Sequence, residues 1–195
     1  MRILVLGPHS DRLQTIIGDH LIQTTQSPLT LAEVSRFNPH LLLSYGYRHL
    51  VPREVLAGAS FNAINLHVSL LPWNRGADPN LWSWFSNTPK GVSIHWMTEG
   101  LDQGDIIAQM EVALDPQSTL GESYSVLQAS MCSALASSWS DIESGTAPHD
   151  PQEHGGSHHR SSDKQPHAHA LTDGFNTRCQ QLVDYGEANG LWISQ

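Results

Sequence analysis

The amino-acid sequence predicts an α/β protein with an open, mostly parallel, twisted sheet and helices on both faces, as in Rossmann-like folds. Three short, largely apolar runs, at residues 3–6, 40–44 and 63–67, are typical of strands that are buried on both faces. Helical patterns separate these runs, and strands that alternate with helices form parallel sheets. The alternation, more than any single segment, indicates the fold class.

The first half of the chain supplies the shorter elements between these strands. Ser10 or Asp11 is expected to cap a helix whose apolar side carries Leu13, Ile16 and Ile17. A weak strand, a short helix and the first turn of another helix are predicted at residues 21–24, 31–37 and 52–56.

The second half changes in composition along its length. After Pro79, Trp82 and Phe85 recur at helical spacing, which favours a place in the core over a stacking role. Two strands, a long helix and a short final helix are predicted at residues 91–97, 105–114, 120–139 and 179–185. Residues 140–172 are polar and rich in His, Ser, Gly and Pro. We therefore expect a globular domain over residues 1–139, with an irregular, His-rich extension over 140–195 packed on it.

Composition and charge exclude several classes of partner. The 195 residues carry a formal net charge of -9 with 10 Lys and Arg, and no basic cluster suited to phosphate neutralisation, so no nucleic-acid partner is expected. No apolar run is long enough to span a bilayer. Two cysteines without paired spacing fit a reducing compartment, so we expect a cytoplasmic protein. The aromatic helix face also favours a homodimer.

Ligands of open α/β sheets bind outside the carboxyl ends of the strands, which points to residues 7–12, 45–50 and 65–76. Asn65 and His67 end the third apolar run two residues apart, so both side chains project from one face of the strand. A second polar segment, residues 101–105, places Asp102 and Asp105 around a glycine turn before another strand. Asp105, at the strand entrance, is expected to be structural, whereas Asp102 lies on the loop.

The stretches NLHVSLLPWNRGADP and GLDQGDIIAQ together resemble the formyltransferase family, in which Asn-x-His, Ser-Leu-Leu-Pro and a later Asp-x-Gly turn occur in this order. The resemblance implies an enzyme, with residues 1–139 as its catalytic domain, that moves a formyl group from 10-formyltetrahydrofolate to a primary amine. It also implies that Asn65, His67 and Asp102 are catalytic and that no metal is needed. Asn65 and protonated His67 would donate to the developing oxyanion, and Asp102 would hold His67 charged and accept the amine proton.

The resemblance also implies a pterin pocket between two loops. Its residues are Tyr47, Arg48, His49, Leu50, Met97, Thr98, Glu99 and Gly100. Contacts with the amine substrate are assigned to Ser10, Arg12, Trp73, Arg75 and Gly76, with a structural role for Trp73 as an equal alternative. The His-rich segment matches no zinc spacing, so a polar surface hairpin or loop is expected there.

The acceptor amine is predicted by elimination and likeness. Methionyl-tRNA enzymes carry a further basic domain, for which this sequence has neither the length nor the charge expected, and residues 7–12 lack the glycine-rich phosphate loop of glycinamide ribonucleotide enzymes. An amino sugar attached to a nucleotide is therefore the expected small-molecule partner. Methionyl-tRNA and glycinamide ribonucleotide stay as alternative acceptors, and a non-catalytic binder of folate or nucleotide is a third alternative.

Overall fold

A computed structural model describes residues 1–57 and 60–193 of the chain. Its elements follow the predicted alternation. The strands are β1 (Arg2–Leu6), β2 (Leu21–Thr25), β3 (Leu41–Tyr45), β4 (Asn62–His67), β5 (Arg75–Gly76), β6 (Gly91–Trp96), β7 (Ile106–Glu111) and β8 (His158–His159). The α-helices are α1 (Ser10–Ile17), α2 (Leu31–Phe37), α3 (Arg53–Ala57), α4 (Pro79–Phe85), α5 (Leu120–Ser144) and α6 (Cys179–Ala188).

Six of the strands form one sheet in the order β2-β1-β3-β4-β6-β7. The pairs β1–β2, β1–β3 and β3–β4 are parallel. The last pair is a hairpin, because Trp96 N donates to Asp105 O at one end and Val112 N donates to Lys90 O at the other. The prediction of an open, mostly parallel α/β sheet is therefore confirmed. β5 and β8 pair separately as a short two-stranded sheet.

Contacts divide the chain into two compact units. The first contains residues 1–67, 94–108 and 132–151, and the second contains residues 68–93, 109–131 and 152–195. The first unit has an apolar cluster of Leu4, Leu6, Leu29, Val34, Leu42 and Val55. The second has a cluster around the aromatic face of α4, made of Leu81, Trp82, Trp84, Phe85, Leu120, Cys179 and Leu182. The expectation that Trp82 and Phe85 belong to the core is confirmed.

Several local predictions were wrong in detail. Ser10 is already the first residue of α1, and His9 occupies the N-cap position without a side-chain hydrogen bond. Asp78 likewise occupies the N-cap position of α4 without such a bond, and its carboxylate pairs with Lys164 Nζ at 2.8 Å. The long helix α5 continues through residues 140–144, because Ser side chains and the remaining apolar positions tolerate the helix although the composition becomes polar. The division after residue 139 stays a prediction. None of the described helices is long and apolar enough to cross a membrane.

Candidate active site

The structure brings Asn65, His67 and Asp102 together in the first unit. Asn65 and His67 lie at the carboxyl end of β4, and Asp102 lies in the loop between β6 and β7. Asn65 Nδ2 donates to Asp102 Oδ1 at 3.0 Å, and His67 Nδ1 lies 3.6 Å from Asp102 Oδ2. The two oxygens of one carboxylate therefore face the two predicted partners.

This carboxylate is buried, with Asp102 only 7% exposed and His67 6% exposed. An ionised carboxylate is costly to bury unless charge or hydrogen bonds compensate it. Asp102 also has a left-handed backbone, with φ of 53°, a conformation that Asp adopts more readily than most residues. The loop thus points an aspartate inward where a bulkier or β-branched residue would be strained.

The cluster contains a fourth residue that no sequence pattern predicted. His95, in β6, is 2% exposed, and its Nε2 lies 3.2 Å from Asn65 Nδ2 and 3.4 Å from Asp102 Oδ1. Its Nδ1 lies 2.8 Å from Trp96 O, and a carbonyl can only accept, so Nδ1 carries a proton. In a neutral His95, Nε2 is then the acceptor for Asn65, and in a protonated one it is a second donor to Asp102.

The predicted cofactor residues lie in two loops of the same unit. Tyr47 and Met97 pack against the same apolar cluster, and Met97 N donates to Ala63 O at 2.8 Å. The Tyr47 hydroxyl donates to Ser27 O and accepts from Leu29 N, while burial raises its pKa above the ordinary value. Leu50 is 74% exposed and so presents an apolar side chain to a ligand or to solvent.

The other predicted cofactor loop, residues 97–100, is held by one local hydrogen bond and one ion pair to α3. Thr98 Oγ1 donates to Gly100 O at 3.3 Å, and Glu99 Oε1 accepts from Arg53 Nε at 2.7 Å. This ion pair is exposed and contributes little to stability.

An open cleft of about 340 Å³ lies at the carboxyl ends of β1 and β3. It is lined by Gly7, Pro8, Gln26, Gly46, Tyr47, Arg48 and His49. Gly7 has φ of 111°, and a Cβ there would collide with Tyr45 O, so glycine is required where the two loops touch. Within the part of the chain that the structure describes, the Arg48 guanidinium makes no hydrogen bond or ion pair. The cleft therefore offers a cation to an anionic ligand.

The predicted substrate residues are divided between the units. Ser10 and Arg12 open α1 in the first unit, where Arg12 and, more strongly, burial lower the pKa of His9. In the second unit Trp73 is half-buried, and Gly76 pairs with His159 in the short sheet. Arg75 donates to Gln152 Oε1 and Gly155 O, so its guanidinium holds the segment that follows residue 151.

The His-rich segment is largely exposed and irregular, as expected for a surface loop, but two of its histidines are packed. His159 stacks on Trp82 with ring centroids 3.9 Å apart and an angle of 3°, and His167 Nδ1 lies 3.0 Å from the Tyr185 hydroxyl. Burial lowers the pKa of His159 to about 4. Among the described residues, no group of three or more His, Cys, Asp or Glu side chains could hold a metal ion. Two of these histidines thus pack against the aromatic core.

At the carboxyl edge of this α/β sheet, the Asn65 amide and the buried imidazole and carboxylate of His67 and Asp102 offer hydrogen-bond donors and a base to a reaction in which negative charge develops. The chain belongs to the formyl transferase family, whose family model matches residues 22–137. It is 37% identical to the formyltransferase PseJ from Anoxybacillus kamchatkensis, solved in complex with UDP-4,6-dideoxy-4-formamido-L-AltNAc and tetrahydrofolate. That match covers 95% of this chain and 100% of PseJ, with a TM-score of 0.87. The predicted family is confirmed.

Other relatives differ in how much of their length is matched. The methionyl-tRNA formyltransferase of Clostridioides difficile is 36% identical over 123 residues, which are 63% of this chain and 40% of that protein. The chain thus spans about two fifths of the length of this curated relative. A 4-N formyltransferase from Francisella tularensis shares the fold at 22% identity, with a TM-score of 0.75 over 94% of this chain and 86% of that one.

Proposed function

We propose that the protein transfers a formyl group from 10-formyltetrahydrofolate to the primary amine of an amino sugar attached to a nucleotide. The observation that carries the proposal is the convergence of Asn65 and His67 on the two oxygens of the buried Asp102 carboxylate. A folate or nucleotide binder without activity has no use for this set at the edge of the sheet. The similarity to PseJ over nearly the full chain supports the sugar acceptor.

The chain's own residues account for the chemistry of the transfer. The folate co-substrate would supply the formyl carbon that the amine attacks, while negative charge grows on the formyl oxygen. His67, placed beside the Asp102 carboxylate, can donate a hydrogen bond to that oxygen when it is protonated, and Asn65 is the second donor. Such preorganised donors contribute roughly a hundred- to a thousandfold each to the rate. Asp102 can accept, directly or through water, the proton that leaves the amine, and the folate N10 would take up a proton as its bond to the formyl carbon breaks and tetrahydrofolate leaves.

Asn65 can donate a hydrogen bond to the formyl oxygen only if one of its two amide hydrogens is not already donated to another group. One hydrogen is donated to Asp102 Oδ1, and the other lies beside His95 Nε2. A protonated His95 would turn its Nε2 hydrogen toward Asp102 and release the second Asn65 hydrogen. We therefore assign His95 the role of setting which way the Asn65 amide donates.

The residues at the cleft fit an anionic co-substrate and an anionic acceptor. The Arg48 guanidinium, which has no hydrogen-bond or ion-pair partner among the described residues, suits either the carboxylates of a folate tail or the phosphates of a nucleotide. Tyr47, Met97 and the exposed Leu50 provide apolar surface for a flat ring. The cytoplasmic location and the homodimer stay predictions.

The test is an acceptor panel with 10-formyltetrahydrofolate. It should contain 4-amino and 3-amino dideoxy sugar nucleotides, glycinamide ribonucleotide and methionyl-tRNA, the last because of the similarity to methionyl-tRNA enzymes. Release of tetrahydrofolate and the mass of the formylated product are measured. Transfer to a sugar nucleotide that Asn65→Ala, His67→Asn and Asp102→Asn each abolish would support the proposal. Transfer only to methionyl-tRNA would show that the acceptor is methionyl-tRNA and not a sugar nucleotide. Near wild-type turnover by all three variants would refute the assigned site.

A further inference from the structure

The loop that carries Asp102 is fastened at both ends to a short segment that follows α5. We call this segment, residues 148–150, the strap. At one end of the loop, Trp96 Nε1 donates to Pro148 O at 2.8 Å. At the other end, Ile106 N donates to Asp150 O at 2.7 Å, and Asp150 N donates to Ile106 O at 3.1 Å.

His149, between these two attachments, contacts both ends of the loop at once. Its ring stacks on Trp96 with centroids 4.6 Å apart and an angle of 7°, and its Nδ1 lies 3.7 Å from Asp105 Oδ2. Trp96 N in turn donates to Asp105 O at 2.9 Å, and a Cβ on Gly104 would collide with Trp96 O. The base of the loop is therefore closely packed, with little freedom for Asp102 to shift.

We propose that the strap, through His149 and Trp96, positions Asp102 for the formyl transfer. The kinetic part of this inference rests on the proposed function. Reactive groups displaced by about 1 Å can lose up to about a hundredfold in rate, so a base that fixes this loop has a kinetic effect. The His149–Asp105 pair is largely exposed and contributes little to global stability. A change in rate on removal of His149 can therefore be distinguished from a loss of stability.

The experiment compares His149→Ala with His149→Phe in the full chain. His149→Ala removes the ring that covers Trp96 and is expected to lower kcat about three- to tenfold, with KM for the amine substrate unchanged. Hydrogen exchange of a peptide spanning residues 97–105 should accelerate in the same variant, because the base of the loop loosens. His149→Phe keeps a stacked ring and should restore both readouts to near wild-type values.

His20→Ala is the matched control. His20 also pairs with a carboxylate, Glu143, at 3.0 Å and lies beside a tryptophan, Trp139, but it precedes β2 at the amino ends of the strands. This variant should leave kcat and the exchange of residues 97–105 unchanged. Equal effects in both variants would mean a general loss of stability and would overturn the positioning role.

The outcomes separate this inference from the proposed function. If the wild-type protein transfers no formyl group, the exchange measurement still tests the strap, and faster exchange confined to residues 97–105 supports it. If the wild-type protein is active but His149→Ala matches it in kcat and in exchange, the strap does not position Asp102. Faster exchange with unchanged kcat would also overturn the kinetic role.

Discussion

Histidine is used in opposite ways in the two units of the molecule. In the first unit His67 and His95 lie within 3.6 Å of the buried Asp102 carboxylate, so each imidazole faces a hydrogen-bond acceptor. In the second unit His159 stacks on Trp82, and burial keeps it neutral with a pKa of about 4. A high histidine content therefore indicates nothing by itself, and the partners of each ring decide between chemistry and packing.

The largest loss of activity is expected when the Asp102 carboxylate of the first unit is replaced. Asp102→Asn keeps the size of the side chain but loses the charge beside His67 and the acceptor for the amine proton. We expect formyl transfer to fall by roughly a hundred- to ten-thousandfold, measured as kcat with the best acceptor of the panel. Asp105→Asn, in the same loop but 44% exposed, is the control and should lose no more than a few-fold. Equal losses in both variants would contradict the choice of Asp102.

A smaller loss is expected for the fourth member of the cluster. His95→Phe fills the same space but leaves the Asn65 amide and the Asp102 carboxylate with one partner fewer, so kcat should drop about tenfold. His95→Gln can still accept from Asn65 and should recover part of the rate. A His95→Phe variant with full activity and unchanged melting temperature would show that the ring only fills the core.

The four residues of the cluster differ in how far the sequence alone could predict them. Asn65 and His67 follow an apolar strand and precede Ser-Leu-Leu-Pro, so local order identifies them. His95 stands within the run Val-Ser-Ile-His-Trp, and its partners come from β4 and from a loop seven residues later, so only the folded sheet joins them. The pairing of β5 with β8, across more than eighty residues, could not be predicted either, because a two-residue strand has no sequence pattern of its own.

In the second unit the expected effect of His159 is on stability and not on catalysis. Because its pKa is lowered from 6.5 to about 4, the unfolded chain binds a proton as pH falls through this window and the folded chain does not. The free energy of unfolding should thus decrease between about pH 6.5 and 4, by roughly 1–2 kcal/mol after allowance for partial exposure.

Urea denaturation at both ends of this window, compared between wild type and His159→Phe, measures the effect. The phenylalanine keeps a ring on Trp82 but cannot titrate, so this part of the acid destabilisation should disappear. His158→Gln, at the exposed neighbouring position, should behave like the wild type. An identical pH dependence in His159→Phe would show that His159 titrates normally.

The smallest expected effect concerns the hydrogen bond between His167 Nδ1 and the Tyr185 hydroxyl. Tyr185→Phe keeps the ring that packs on Phe85 and removes only the hydroxyl, so the free energy of unfolding should fall by about 1 kcal/mol. The double variant with His167→Phe should lose less than the sum of the two single variants, because each removes the same bond. Formyl transfer should not change in any of the three. If kcat falls while stability holds, the histidines of the second unit also serve the reaction, and the division between chemistry and packing would no longer follow the two units.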